Sequence, residues 1–146
     1  KTYRQLMLET LDLDLTRIHF TGSLPYSLYL QVLQASSVHV YLTRPFVLSW
    51  SMLEALSTGC VVVGSSTPPV QEVIEDGVNG LLVDFFSPEA ILERIIEVLE
   101  HSDRMMDIRA RARATILLHY DLARVLPFHL MWLQNDRWSV LDQRYP

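Results

Sequence analysis

Gly59 divides a helix-like segment from an uninterrupted β-branched run, Val61-Val62-Val63, and this junction limits what the chain can fold into. Three consecutive valines suit a strand covered on both faces, because a half-exposed strand would alternate with polar residues. The preceding segment, Leu48 to Thr58, carries Met52, Leu53, Ala55 and Leu56 and ends where a glycine can turn the chain. A helix running directly into a buried strand is a unit of a parallel sheet joined by right-handed crossovers.

The same alternation extends along the chain. Thr2 to Leu11 reads as a short helix, and Ile18 to Thr21 as a strand ending at Gly22. Pro25 to Ala35 places Tyr26, Tyr29, Leu30 and Leu33 at helical spacing, with Pro25 in the first turn. Val38 to Leu42 is a strand, Val61 to Gly64 another, Val70 to Ile74 a short helix and Leu81 to Val83 a third β-rich segment. Ser87 and Pro88 are an N-cap and first-turn pair opening a helix to about Glu100, with Ile91, Leu92, Ile95, Ile96 and Leu99 as its apolar face. Ser102 to His119 and Leu122 to Leu133 follow as helices, the second containing Pro127. The expected fold class is α/β, a parallel sheet flanked by helices, forming half of a doubly wound, Rossmann-like architecture.

Apolar residues make up 49% of 146 positions, enough for one domain with its own core. Seventeen acids against 12 bases give a net charge of −5, which argues against a nucleic-acid partner. Cys60 is the only cysteine, so no internal disulfide or cysteine metal cluster can form. Its place beside Val61 reads as a buried thiol rather than a reactive one, in a reducing, cytoplasmic setting. The N-terminal residues are amphipathic and lack the apolar core of a secretion signal, and no apolar run approaches the roughly 20 residues of a membrane span. The chain opens inside a helix-like segment, so residues 1–146 read as a single partial domain truncated at its N-terminus.

Ligands of such sheets bind beyond the carboxyl ends of the strands. The Val38–Leu42 strand ends at Thr43, and the next helix begins near Leu48. That helix start offers the amides of Leu48, Ser49, Trp50 and Ser51 to an anion such as a phosphate. Arg44 adds a positive charge there or stands as an ordinary loop arginine. Glu54 lies one turn further on among apolar neighbours. It either faces solvent or reaches back to accept two hydroxyl hydrogen bonds from a ribose. His19 and His39 alternate with apolar residues and read as sheet histidines rather than acid–base groups. Arg109, Arg111 and Arg113 read as a solvated helix face. No His, Asp and Glu set has metal-ligand spacing, and no metal is expected.

From about Arg17 to Glu100, HFTGSL, PFVLSWSMLEALSTGCVVVGSS and EVIEDGVNGLLV resemble the group 1 glycosyltransferases of family 4, in this order and spacing. The resemblance implies the C-terminal half of a GT-B fold that holds a nucleotide sugar. It implies that Glu54 binds the ribose hydroxyls, that the Leu48, Ser49 and Trp50 amides meet the diphosphate and sugar, and that the Leu24 backbone touches the base. The family's first motif glutamate, eight residues before Glu54, is replaced by Phe46, leaving the catalytic position unassigned. Pro68-Pro69 replaces a Gly-Gly pair and stiffens that loop.

The implied activity of the whole enzyme is hexosyl transfer from a nucleoside diphosphate sugar to a hydroxyl acceptor, with retention and without a cofactor or metal. The implied partner is an N-terminal acceptor domain, against which residues 122–146 would pack. Without it, Phe128, Met131 and Trp132 would favour self-association, and this chain alone would be inactive. Trp132 and Trp138 would cover apolar surface. Peripheral association with the inner face of the membrane is a further implied partner. Two alternatives stand beside this reading: a nucleotide-sugar epimerase of the same layout, and a degenerate domain that serves binding or assembly.

Overall fold

The computed structural model describes residues 1–43 and 47–134. Seven helices and three strands occur among these residues: α1 (Tyr3–Thr10), α2 (Tyr26–Ala35), β1 (Val38–Tyr41), α3 (Trp50–Ser57), β2 (Val61–Ser65), α4 (Pro68–Gln71), β3 (Leu81–Val83), α5 (Pro88–Glu100), α6 (Ser102–His119) and α7 (Leu122–Gln134). The strands form one parallel sheet in the order β1-β2-β3. Val38 pairs with Val61 at one end of the β1–β2 ladder, and Val63 pairs with Leu81 at the start of β2–β3.

The valine run is the central strand, and every residue of β2 is buried. Its side chains alternate between two cores. Val62 packs with Leu33 of α2, with Met52, Ala55 and Leu56 of α3, and with Ala112 and Ile116 of α6. Val61 and Val63 pack on the other face with Leu81, Val83, Val98 of α5, and Met105 and Ile108 of α6. One helix, α6, therefore contributes to both cores, its first half to one and its second half to the other.

Gly59 does what the sequence requires. With φ at 75° it lies in the left-handed region that a side chain disfavours. The Gly59 amide bonds to the Leu56 carbonyl and the Cys60 amide to the Ala55 carbonyl, both at 3.1 Å. This paired closure ends α3 and aims the chain into β2 within two residues.

Several expectations are corrected. Ile18 to Thr21 forms no strand: no described strand pairs with it, Ile18 and Phe20 are exposed, and the Arg4 guanidinium sits 4.5 Å above the Phe20 ring. His19 is consequently an exposed loop residue. Pro25 is the N-cap of α2 rather than a helical residue. Pro68 and Pro69 do not stiffen a loop. They begin α4, where a helix has no intrahelical use for their missing amides. That short helix ends at Gln71, not Ile74.

On α5 only Val98 is fully buried, with Ile91 and Ile95 partly so, while Leu92, Ile96 and Leu99 face outward. The arginine run of α6 is not a uniformly solvated face. Arg109 donates to the Ser37 carbonyl at 3.1 Å, and Arg113 donates to the Ser57 carbonyl at the end of α3. Only Arg111 of the three lacks such a bond and is exposed. Arg44, Phe46 and Trp138 lie outside the described residues.

Candidate functional site

The carboxyl ends of β1 and β2 meet the N-termini of α2 and α3, and Glu54 lies at this meeting point. Ser65 prolongs the β1–β2 ladder by a side chain: its hydroxyl donates to the Thr43 carbonyl at 2.9 Å and accepts from the Thr43 amide at 3.1 Å. Tyr41, buried at the end of β1, accepts the Ser49 amide on its hydroxyl at 2.9 Å. The residues on either side of positions 44–46 are thus pinned to the strand ends by Ser65 and Tyr41.

Ser49 is the N-cap of α3, and its hydroxyl accepts from the Ser51 amide at 3.2 Å. Two of the four amides read as anion donors therefore already have partners within the protein: Ser49 with Tyr41, and Ser51 with its own cap. The Leu48 and Trp50 amides have no protein partner among the described residues. Trp50 itself is 81% exposed, so the first turn of α3 opens to solvent. The helix dipole adds to the attraction of this open end for an anion.

Glu54 is half-buried and does not simply face solvent. The Tyr26 hydroxyl, from the first turn of α2, donates to Glu54 Oε1 at 3.0 Å. That bond is the main reason the Tyr26 phenol is held above its ordinary range. Tyr29, one turn along α2, points its hydroxyl at the same region. Burial first, then the neighbouring Glu54 carboxylate, push its phenol up to about 12. Proximity does not amount to a hydrogen bond here, because the Tyr29 hydroxyl is shielded from solvent and lacks an aligned partner. Leu24, half-buried, lies two residues before Tyr26.

Tyr26, Tyr29, Tyr41 and Ser65 are the site residues that sequence reasoning missed. The tyrosines did carry a signal, since Tyr26 and Tyr29 share one face of a predicted helix. Only the packing of α2 on α3 shows that this face meets Glu54. His39 lies in β1 and is held below its ordinary range by burial, away from this carboxylate cluster. On the other side of the molecule, Arg94 bridges Asp76 at 3.2 Å and Glu97 at 2.8 Å, which is a structural network across β3 and α5. Among the described residues no group of three His, Cys, Asp or Glu side chains could hold a metal ion, and no helix is long and apolar enough to cross a membrane.

The family profile described as glycosyl transferases group 1 matches residues 1–115. The chain belongs to this family. An uncharacterized glycosyltransferase of Methanocaldococcus jannaschii is 32% identical over 87 residues, covering 59% of this chain and 22% of that protein. The Anabaena protein HepE, solved with UDP, superposes with a TM-score of 0.67 at 22% identity over 70% of this chain and 29% of its own. The sucrose-phosphate synthase of Thermosynechococcus elongatus superposes with a TM-score of 0.75 at 20% identity, over 90% of this chain and 33% of its own. The expected α/β class, a parallel sheet flanked by helices, is the fold these group 1 structures share. The chain spans between a fifth and a third of the length of these relatives.

Proposed function

We propose that this chain is the donor-binding domain of a glycosyltransferase that moves a sugar from a nucleoside diphosphate sugar to a hydroxyl acceptor, with retention. The observation that carries this reading is the half-buried Glu54 carboxylate at the strand ends, beside the open Leu48 and Trp50 amides. A carboxylate accepts two hydroxyl protons from a ribose, and free amides at a helix start receive a diphosphate one helical turn away. Arg44 would add charge to that end, and the Leu24 backbone would meet the base. In such a site the leaving diphosphate is stabilised by amides and the helix dipole, so transfer needs no metal. The UDP bound to the Anabaena relative supports a nucleoside diphosphate as ligand class.

The transferase acts as a longer protein, with an acceptor domain resting on α7, which buries no residue of its own. The chain alone is inactive. Its setting is the cytoplasm, with the whole enzyme at the inner face of the membrane. Calorimetry on the protein at its full natural length tests the site. Glu54→Gln should weaken binding of the best of UDP, GDP and ADP by about tenfold to a hundredfold, as charge-assisted hydrogen bonds are lost. Unchanged affinity would sink the assignment.

A degenerate domain is the second reading, favoured by Phe46 in place of the motif glutamate and by the two α3 amides that the protein itself uses. Failure of all three diphosphates to raise the melting temperature would support it. An epimerase of the same layout is separated by product analysis, which would yield free sugar or epimer in place of a glycoside.

A further inference from the structure

Resting on the reading of Glu54 as the ribose ligand, we propose that Tyr26 and Tyr29 exchange as hydrogen-bond donors to Glu54 when a nucleotide binds, making them positioning residues that set the ribose specificity of the site.

The geometry is unequal in a telling way. Tyr26 is 62% exposed and donates to Oε1, the carboxylate oxygen that a ribose hydroxyl approaching from solvent would need. Tyr29 lies one turn deeper, with its hydroxyl shielded and unpaired. The two rings face Glu54 from one side of α2, their centroids 6.2 Å apart. A shielded hydroxyl without a partner is costly, and a fold under no other demand would place a phenylalanine there.

The cost disappears if the carboxylate turns a short way toward Tyr29. Ribose hydroxyls then take the place of Tyr26 on the outer side. Tyr29 donates from the inner side and holds the carboxylate in the plane that two vicinal hydroxyls require. A carboxylate has about four acceptor positions, so one phenol and two ribose hydroxyls are accommodated together. In this arrangement Tyr26 competes with the nucleotide and Tyr29 cooperates with it.

The test is calorimetry on the protein at full natural length, with UDP, GDP and ADP and the 2′,3′-dideoxy form of each. For the base that binds best, the affinity ratio of ribose to dideoxy form reads Glu54 and its donors alone. Tyr29→Phe should cut this ratio about tenfold, the worth of one hydrogen bond to a charged group, with dideoxy binding unmoved. Its melting temperature should hold or rise, since only an unpaired hydroxyl is removed. Tyr26→Phe should tighten ribonucleotide binding severalfold.

An unchanged ratio in Tyr29→Phe, equal losses for ribose and dideoxy forms, or unchanged or weaker binding in Tyr26→Phe would overturn the exchange. Those results differ from failure of the underlying reading, in which the unsubstituted protein itself would not distinguish the two forms.

Discussion

Burial pushes the Cys60 thiol up to about 11, with Arg109 opposing the shift, and pushes the Tyr29 phenol up to about 12. Both groups are neutral when protonated, so the folded state holds their protons longer than the unfolded chain does. The stability tied to them is fully present below the unfolded values of about 9 and 10, and is lost as pH rises through about 11 and 12. Denaturant midpoints should therefore fall between pH 9 and 12, and Cys60→Ala should flatten the lower part of that fall. At pH 8 Cys60 should react with a thiol reagent only at the rate of unfolding, which a stopped-flow alkylation series would measure. Gly59→Ala should cost about 1–2 kcal/mol in a urea titration, because a Cβ is disfavoured at positive φ. This loss was legible in the sequence, since a glycine between helix and strand announces a left-handed turn. The partners of Glu54 were not, because Tyr26 lies 28 positions away.

Among the elements, α6 is held by side chains whose type was readable and whose partners were not. Asn79, buried in the turn before β3, donates to the Val73 carbonyl at 2.8 Å and to the Thr115 hydroxyl of α6 at 3.1 Å, and accepts the Glu75 amide at 2.8 Å. Every bond of that amide group is made inside the fold. Asn79→Ala should cost about 2–4 kcal/mol in chemical denaturation, as it leaves buried backbone groups without partners. Arg113→Ala should cost about 1 kcal/mol, through its bond to the last turn of α3 and that helix's dipole. Helical spacing placed the arginines on α6 but could not show that two of them reach carbonyls at the ends of β1 and α3. Expectation failed in another way at Ile18 to Thr21. Alternation alone signals a strand, but a strand exists only where a neighbour takes its backbone hydrogen bonds.

Over the whole molecule, the core lies between residues 33 and 116, and neither α1 nor α7 contributes a buried residue. A chain ending at Asp121 should therefore melt within about 3 °C of the 146-residue chain in calorimetry, since little apolar area is lost from the core. A fall of about 10 °C would show that α7 packs more tightly than its exposure indicates. Phe128, Met131 and Trp132 stay exposed on α7, so this helix presents an apolar surface without adding to the core.

The sequence by itself determined the layered class of the protein, the order of most of its elements, the turn at Gly59 and the family. These follow from local pattern: a buried strand needs a run of apolar residues, a helix a repeat near four, and a left-handed turn a glycine. Only the tertiary structure decided which groups meet. It placed Tyr26 on Glu54, left Tyr29 shielded beside the same carboxylate, and used two of the four expected amides for Tyr41 and the Ser49 cap. Such pairings depend on how far each helix slides and turns on the sheet. That is settled by packing across both cores together, and no stretch of chain encodes it alone.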